Sequence, residues 1–578
     1  MSRIPKREGS MHKITSIRIA GTDIGQYTIL YASDSHPAEI NAAKELQRYI
    51  YNSTGVLLSM SEDGTPGREN APEICIGGTN RNEPETFDGQ EEAFHIYYKA
   101  PRLYIAGGGA RGTLYGVYAF LETYLGWRWF APDTEECVLS GAVEIPADCN
   151  LYCRPALEYR DVYWFSAFDT PWAVKMKLNA SGDHRKLGPE YGGGIGYGGP
   201  RFVHTFSDFM PLSEYFQEHP EYYSLRGGAR CGEYLYTQLC LTNPDVLRII
   251  TEKILAYMEA HPDTRIISVS QDDSYVGDSY CHCAECEKIH REEGSPMGSL
   301  LRFVNAIAET VKIRYPHLSI DTLAYQHTFE PPLHTVPRDN VIIRLCTWNP
   351  ILSQKHIERR NIREALTRWK AVCNRIYIWD YTTNFSDYLA TFPNFANLQP
   401  NVRLFADNHV KGIFAQGNYQ SVSGEFGELR AYLLARLLWE PEMEPDAYYG
   451  HMDAFLEGYY GKGWRYIRNY IDYVQGIVSG SSVSNRGTPT EILPPEQFDL
   501  KLAESWWDQA EAMADSPRDR AHIEKSRLQL LHWELFRDGH TDAKDEKAQA
   551  FYALLKKHGI THLNEGAAVP VPSCGAEQ

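Results

Sequence analysis

The sequence predicts an α/β protein: a (β/α)8 TIM barrel with an N-terminal α+β domain and a C-terminal helical domain. Three observations support this prediction. Between residues 155 and 440, short apolar runs alternate with helical stretches, and eight such units close a barrel. Residues 13–150 combine strand-like runs with two helical stretches. Residues 445–563 are aromatic-rich and helical in pattern, and we expect the remaining residues, 564–578, to be a disordered tail.

The composition is typical of a globular protein with more than one domain. The chain has 578 residues, of which 43% are hydrophobic and 23% are charged. Its net charge of −18 argues against nucleic acid and anionic membranes as partners. The aromatic content of 12%, with 38 Tyr and 12 Trp, indicates either a large core with exposed tyrosines or a surface that stacks on sugars.

No targeting or membrane segment is evident in the sequence. No apolar run reaches the ~18 residues that a membrane span needs. The first residues, MSRIPKREGSMHKIT, lack the apolar region of a signal peptide. We therefore expect a cytoplasmic protein, or a secreted one if a signal has been removed. The oligomeric state is left open.

The elements of the first block follow from period-two and helical patterns. Helices are predicted after Pro37 and over residues 113–124. The strand-like runs are residues 16–20, 27–32, 73–76, 94–98 and 103–106. Between that last strand and its helix, residues 107–112 fit the pattern G-x-G-x-x-G. A dinucleotide site would need a following parallel strand that ends in an acid, which is missing, so we interpret the glycines as a tight turn.

The second block carries the eight strands of the predicted barrel. They are residues 159–165, 201–206, 238–241, 265–271, 319–325, 341–347, 375–379 and 412–416. Clear helical stretches are residues 244–260, 300–315, 355–372 and 426–439. In the third block, helices are predicted over residues 448–460, 464–478 and 500–514.

The fourth predicted strand ends in two adjacent carboxylates, Asp272 and Asp273. Catalytic groups of (β/α)8 enzymes lie at the carboxyl ends of the strands. Hydrolysis of a glycoside needs a protonated acid at the leaving oxygen and a second group for the anomeric carbon. Two close carboxylates also raise the pKa of one of them, which suits a general acid. The alternatives are a cation site or a solvated pair of loop residues.

Aromatic and polar residues follow the other predicted strands. Because these strand ends meet at one rim, the rings could stack on a sugar and the amides and acids could bind its hydroxyls. For Asp380 the alternative is a structural acid held by loop amides. The predicted substrate-binding residues are His204, Tyr325, Trp348, Trp379, Asp380, Tyr381, Asn384 and Asn418.

Three closely spaced cysteines follow the aspartate pair. Cys281, Cys283 and Cys286, with His290 one helical turn further on, have the composition of a zinc site. A structural metal would tie down the loop after the fourth predicted strand, and we expect no cofactor to be required for catalysis. Buried free thiols are the alternative.

At these motifs the chain resembles known families. RGTLYGVYAFLETYLGWRWFAPD, residues 111–133, is similar to the end of an N-terminal domain shared by α-glucuronidases and β-hexosaminidases. ISVSQDD, CHCAEC, FVNAIAE, IDTLAYQHT, IYIWDYTTNF and LRAYLLARLLWEP resemble a large bacterial group called domain of unknown function 4838. Part of that group is classed as glycoside hydrolase family 163, endo-β-N-acetylglucosaminidases that act on complex N-glycans.

The resemblance implies a retaining mechanism in which the 2-acetamido group of the sugar takes part. Asp272 would orient the acetamido group, Asp273 would be the acid/base, and Trp379 and Tyr381 could wall its pocket. Asp273 is one methylene shorter than the glutamate of the hexosaminidase pattern. We therefore expect a hydrolase of β-linked N-acetylglucosamine in glycans, with an oligosaccharide as its partner. The alternatives are an α-glucuronidase-like enzyme, which an Arg or Lys at the barrel mouth would favour, and a non-catalytic carbohydrate-binding protein.

Overall fold

A computed structural model describes residues 13–64, 71–81, 86–180, 187–233, 237–274, 278–347, 351–353 and 362–570. Trp348 and residues 571–578 of the predicted tail lie outside these ranges. The apolar core is continuous from the first block to the third. Between the first two blocks, for example, Phe94 stacks on Trp439 with ring centroids 6.1 Å apart. Arg160 pairs with Glu92 across the same boundary at 2.8 Å.

The first block contains mixed sheets and two long helices. Its strands are β1 Ile14–Ile19, β2 Thr22–Asp23, β3 Thr28–Tyr31, β4 Ser59–Glu62, β5 Glu73–Ile76, β6 Phe94–Lys99, β7 Arg102–Gly107, β8 Trp127–Ala131, β9 Thr134–Cys137, β10 Gly141–Ile145 and β11 Asn150–Cys153. Its helices are α1 Pro37–Thr54 and α2 Ala110–Leu125. The main sheet has the order β11-β6-β7-β5-β3-β4, with parallel and antiparallel pairs. All five predicted strands and both predicted helices of this block are confirmed.

The glycine run at residues 107–112 is a tight turn between β7 and α2. A methyl group on Gly107 would lie 2.1 Å from the amide nitrogen of Thr113, and one on Gly108 would lie 2.0 Å from the carbonyl oxygen of Gln90. The glycines are therefore needed for the close approach of the protein's own backbone. This confirms the prediction of a turn.

The second block is built on a curled parallel sheet flanked by helices. Its strands are β12 Tyr159–Tyr163, β13 Tyr197–Gly198, β14 Leu225–Arg226, β15 Ala229–Arg230, β16 Ile266–Ser268, β17 Ser319–Ala324, β18 Val341–Cys346, β19 Ile351–Ser353, β20 Ile376–Tyr381 and β21 Gly412–Gln416. Its helices are α3 Thr170–Lys175, α4 Phe206–Phe209, α5 Leu212–Tyr215, α6 Pro244–Ala260, α7 Ala284–Glu293, α8 Met297–Arg314, α9 Ile362–Val372, α10 Phe395–Asp407 and α11 Gly427–Trp439. The parallel strands have the order β12-β21-β20-β18-β17-β16-β13.

Two of the eight predicted barrel strands are wrong. Residues 201–206 form a bend that enters α4, because His204 adopts a left-handed backbone with φ 56°. Residues 238–241 make one isolated antiparallel bridge, from Leu239 to Tyr223. The apolar residues of both runs, Phe202, Val203, Phe206, Leu239 and Cys240, are buried although neither run is a strand. The other six predicted strands are confirmed, and residues 266–268 keep the place next to β17.

The edge strands of the parallel sheet are β12 and β13. In the described residues, isolated hydrogen bonds and no regular strand connect these two edges. Asn179 donates its backbone N–H to the carbonyl of Arg160 in β12 at 3.3 Å, and Ile195 donates to the carbonyl of Asn179 at 2.8 Å. Ala180 and Ile195 form a parallel bridge just before β13. A single bridged residue thus connects the edge strand β12 with the segment that precedes β13.

The sheet encloses a buried ion pair below its carboxyl end. Arg344 of β18 lies 3.2 Å from Asp321 of β17, and both side chains are fully buried. The hydroxyl of Tyr197 donates to Asp321 at 2.9 Å. A buried charge pair of this kind is maintained by its hydrogen bonds, so each partner needs the others in place.

The third block is helical and ends in a hairpin. Its elements are α12 Pro445–Tyr460, α13 Trp464–Ile477, β22 Ser482–Ser484, α14 Pro489–Ile492, α15 Leu500–Ala512, α16 Pro517–Arg537, α17 Glu546–Lys557, β23 His562–Asn564 and β24 Ala567–Ala568. The three predicted helices are confirmed. The first residues of the predicted disordered tail instead belong to the β23–β24 hairpin. None of the described helices combines the length and apolar character that would let it cross a membrane.

Candidate active site

A cavity of about 270 Å³ opens at the carboxyl ends of the parallel strands. Each of four neighbouring strands contributes at least one side chain to the wall of the cavity: β17, β18, β20 and β21. The lining residues are His204, Asp273, Leu323, Tyr325, Cys346, Trp379, Tyr381, Phe385, Gln416, Arg486 and Glu565. Acidic, basic, amide and aromatic side chains therefore share one pocket.

The two adjacent aspartates point to different places. Asp273 lines the cavity, is exposed, and has its Oδ1 3.5 Å from the hydroxyl of Tyr325. Asp272 instead accepts hydrogen bonds from the backbone N–H and the hydroxyl of Ser207, both at 3.1 Å. Burial raises the pKa of Asp272 to about 7, against these hydrogen bonds. Asp272 therefore lies beside Ser207 and is not among the residues that line this cavity.

The peptide groups around the aspartates are held by Gln238. Its Nε2 donates to the carbonyl of Asp272 at 2.7 Å, and its Oε1 accepts the N–H of Asp272 at 3.0 Å. Gln271 continues this anchoring, because its Nε2 donates to the carbonyl of Tyr325 at 3.0 Å. The segment that leads from β16 to Asp273 is thus hydrogen-bonded to two other parts of the chain.

A second carboxylate reaches the cavity from the C-terminal hairpin. Glu565 lies in the turn between β23 and β24, and its backbone N–H donates to the carbonyl of Phe385 at 2.9 Å. Partial burial is the main cause of the raised pKa of Glu565, to which the charge of Asp273 adds. Gln416 and Tyr419 donate to its Oε1 at 3.3 and 3.4 Å and oppose that rise. The nearby charge of Arg486 also lowers the pKa of Glu565, and burial outweighs these contacts.

A basic side chain, Arg486, completes the polar wall. It lies in the loop between β22 and α14, and the carbonyl of its neighbour Asn485 accepts the N–H of Phe385 at 2.9 Å. Asn384 donates to the carbonyl of Gly487 at 2.7 Å. Asn384, predicted to bind substrate, thus holds the loop that carries Arg486.

Aromatic rings form another part of the cavity wall. Trp379 and Tyr381 are stacked, with ring centroids 6.1 Å apart, and the indole N–H of Trp379 donates to Gln416 at 2.8 Å. His204 lies beside Trp379, and its Nδ1 is 2.8 Å from the carbonyl of Gln271. Because a carbonyl only accepts, Nδ1 carries the proton. Burial lowers the pKa of His204, which favours the neutral ring with Nε2 as an acceptor.

The structure thus brings together only part of the predicted site. Asp273, His204, Tyr325, Trp379 and Tyr381 line the cavity. The described positions of Asp272, Asp380, Asn384 and Asn418 are outside the lining, and Trp348 is outside the described residues.

Asp380 and Asn418 have structural partners instead. Asp380 is buried on the other face of β20, where Thr347 donates to it at 2.7 Å and burial raises its pKa to about 6. Asn418 accepts the N–H groups of Gln420 and Ser421, both at 3.3 Å. Adjacent strand residues face opposite sides, so only the odd-numbered neighbours of Asp380, Trp379 and Tyr381, share a wall of the cavity.

Sequence reasoning missed Glu565, Arg486 and Gln416. Gln416 ends a correctly predicted strand and could have been included by the strand-end rule. For Glu565 the available signal was Asn564-Glu565-Gly566, a turn between two short apolar runs. Arg486 sits in an irregular loop, and no local pattern marks it.

The family model "Domain of unknown function (DUF4838)" matches residues 129–472, more than half of the chain. The chain belongs to the DUF4838 family. The matched span contains the whole curled sheet and Asp273, and the β23–β24 hairpin with Glu565 follows it. None of the curated proteins matches the sequence of this DUF4838 protein.

Among solved structures, the DUF4838 protein resembles carbohydrate-active enzymes in fold. One is a family GH115 4-O-methyl-α-glucuronidase with specificity for decorated arabinogalactans: TM-score 0.53, 11% identity, with 95% of this chain and 77% of that chain covered. Another is a GH138 enzyme targeting pectin rhamnogalacturonan II: TM-score 0.54, 9% identity, with 93% and 75% covered. At these identities the likeness is one of fold, and it extends over nearly the whole described architecture.

Proposed function

We propose that this DUF4838 protein is a glycoside hydrolase whose catalytic carboxylates are Asp273 and Glu565. One observation carries the proposal: two carboxylates from distant parts of the chain line a single aromatic-walled cavity at the carboxyl ends of parallel strands. Two carboxyl groups that flank one bond are the usual equipment for glycoside hydrolysis. The fold likeness to glycoside hydrolases supports the same reaction class.

The two carboxylates are proposed to have different roles. Burial raises the pKa of Glu565, so this carboxyl group keeps its proton to higher pH and suits the general acid at the leaving oxygen. Asp273 then acts at the anomeric carbon, either directly or by activating water. The family resemblance implies that Asp273 is the acid, whereas here the acid is Glu565. Asp272 then has the role of a positioning residue.

We also propose that the parallel sheet acts as a (β/α)8 barrel with an incomplete second strand. In that interpretation the bridged Ala180 replaces strand two and β13 is strand three. β16 then remains strand four, and Asp273 keeps the position that barrel enzymes use for catalysis.

For the substrate, the sequence resemblance supports β-linked N-acetylglucosamine in glycans. The stacked pair of Trp379 and Tyr381 offers the flat apolar surface on which a sugar ring packs. If the acetamido oxygen of that sugar attacks the anomeric carbon, Asp273 would orient the acetamido group instead of acting at that carbon itself, and the neighbouring hydroxyl of Tyr325 would assist it.

A specific observation favours a second candidate, an enzyme for uronic-acid sugars. Arg486 lines the cavity together with the two carboxylates. A guanidinium group binds a sugar carboxylate in bidentate fashion, which a neutral sugar does not need. The fold likeness to an α-glucuronidase is compatible with this candidate but shows only the fold.

A panel of aryl glycosides tests the reaction class and the sugar together. It should contain β-N-acetylglucosaminide, α- and β-glucuronides and neutral hexosides, with N-glycan fragments as natural substrates. We expect hydrolysis of one group, and loss of that hydrolysis in Asp273→Asn. Binding of sugars without hydrolysis of any member would contradict the proposal and indicate a carbohydrate-binding protein.

A further inference from the structure

A group of four cysteines lies behind the aspartate loop, outside the cavity. The sulfur atoms of Cys240, Cys281, Cys283 and Cys286 are all within 4.8 Å of one another. Three of these residues are buried and Cys283 is half-buried. Within the described ranges, no other set of three or more Cys, His, Asp or Glu side chains is close enough to hold a metal ion.

From this geometry we propose that the four cysteines bind one structural zinc ion as a tetrathiolate. Zinc–sulfur bonds of about 2.3 Å in a tetrahedron place the sulfurs about 3.8 Å apart. The Cys240–Cys283 sulfur distance is 3.8 Å, and the other separations stay within 4.8 Å. A small contraction around the ion would therefore complete the coordination.

The fourth ligand differs from the one that the sequence indicates. His290 donates to or accepts from the hydroxyl of Ser299 at 3.0 Å and is not among the clustered side chains. Its place is taken by Cys240, which lies 41 residues before Cys281. Sequence spacing favours His290 because it follows Cys286 by one turn of α7. On the helix, however, the ring points toward α8 instead of the thiols.

The surroundings of the cluster stabilise negative charge. The backbone N–H of Leu225 donates to the sulfur of Cys281 at 3.4 Å, and the guanidinium of Arg230 lies 3.7 Å from the same sulfur. Thr242 has its hydroxyl 3.3 Å from the sulfur of Cys286. Cys283 and Cys286 also lie at the N-terminus of α7, the positive end of its dipole. Zinc with four thiolates carries a net charge of −2, and such partners are the outer contacts that metal sites use.

The ion would join the two segments that position Asp272 and Asp273. Cys240 follows Gln238, which binds the backbone of Asp272, and Cys281 is in the loop that leaves Asp273. This makes the metal a brace for the carboxyl end of β16. The proposal does not depend on glycosidase activity, and the metal content can be measured without a substrate.

The decisive experiment measures metal per chain in the full-length protein. It should be produced with both zinc and iron in the medium, purified without a metal-affinity step, and analysed by mass spectrometry of the elements. We expect about one zinc ion per chain in the wild type. Cys240→Ser should lose the zinc. His290→Ala and Cys153→Ser, a cysteine away from the cluster, should keep it.

Replacement of zinc by cobalt provides a second measurement that needs no variant. Four thiolates around Co²⁺ give intense visible and near-ultraviolet bands, so the wild-type spectrum reports the ligand set even if Cys240→Ser does not fold. Removal of the zinc by a chelator should lower the thermal midpoint of the wild type.

Several results would overturn the proposal. A metal-free protein with all its thiols reactive after denaturation would indicate plain buried cysteines. Fewer thiols without metal would indicate a disulfide within the cluster. Loss of zinc in His290→Ala, with retention in Cys240→Ser, would replace the tetrathiolate by the Cys3His set. Iron in place of zinc would overturn the identity of the metal.

Discussion

Gln238 binds both backbone polar groups of Asp272 with one side chain. The donated bond is 2.7 Å long and the accepted bond is 3.0 Å long, so the amide holds the peptide groups of Asp272 in the segment that follows β16. This anchor fixes the peptide that precedes Asp273. Since catalysis is sensitive to misplacement of reacting groups by about 1 Å, the anchor connects the fold directly to the candidate chemistry.

Removal of this anchor should reduce both stability and activity. Gln238→Ala leaves two partly buried backbone groups without their partner, which costs about 1–3 kcal/mol. We expect a lower midpoint of urea unfolding and a reduced kcat. Gln47→Ala is a matched control, because Gln47 makes one comparable bond to the carbonyl of Leu58 in the first block. If Gln238→Ala lost stability but kept the wild-type kcat, Gln238 would have no positioning role.

Asp272 should make the stability of the protein depend on pH. Its pKa is about 7 in the folded protein and about 4 in the unfolded chain, so the folded state binds more protons between these values. The free energy of unfolding should therefore decrease as the pH rises from about 4 to about 7. Asp272→Asn keeps the acceptor for Ser207 and removes the ionisation.

We expect Asp272→Asn to be more stable than the wild type at pH 8, by on the order of 1–2 kcal/mol after allowance for partial exposure. Parallel denaturant titrations across the pH range measure this difference. Asp263→Asn, at an exposed loop position, serves as the control. A pH dependence in Asp272→Asn identical to that of the wild type would show that Asp272 is ionised in the folded protein over this range.

The alkaline limb of the activity profile should belong to Glu565. A general acid must be protonated, so activity falls as the pH rises through its folded pKa. Tyr419 donates to Glu565 and thereby lowers this pKa. Tyr419→Phe should therefore raise it and shift the alkaline limb of kcat/KM to higher pH. A shift to lower pH, or none, would argue against Glu565 as the acid.

Arg486 should distinguish anionic from neutral sugars. If the substrate is a uronic acid, Arg486→Gln should raise KM by roughly tenfold or more, equivalent to about 1.4 kcal/mol, with a smaller effect on kcat. Hydrolysis of a β-N-acetylglucosaminide should change little. Asn384→Ala, which releases the carbonyl of Gly487, should produce a weaker version of the same pattern. Equal losses on both substrates would remove Arg486 as a determinant of specificity.

Local sequence patterns predict the individual helices and strands of this fold better than the order in which the strands join the parallel sheet. The strand over residues 412–416 and the helix over residues 244–260 are predicted to the residue, because each has a strong period and clear ends. The strand predictions over residues 201–206 and 238–241 are wrong because loops that are buried beside a sheet contain the same apolar residues as buried strands. The bridge at Ala180 has no periodic signal that could reveal it.

The candidate site was predictable only where it lies on strands. Asp273, Tyr325, Trp379 and Tyr381 follow from the rule that barrel chemistry occurs at strand ends. Neither Glu565 nor Cys240 could be assigned in this way, since each depends on a long-range contact. Glu565 is placed by the docking of a hairpin on the loop after β20, and Cys240 by the packing of that segment on the loop after Asp273.

The central claim is that Asp273 and Glu565 act together in one active site. The direct measurement is kcat/KM for Asp273→Asn, Glu565→Gln and the double variant, on the aryl glycoside that the wild type hydrolyses. We expect each single variant to lose roughly 10²- to 10⁴-fold and the double variant to lose far less than the product of the two, because both groups serve one transition state. Wild-type kcat/KM in either Asp273→Asn or Glu565→Gln would contradict the account.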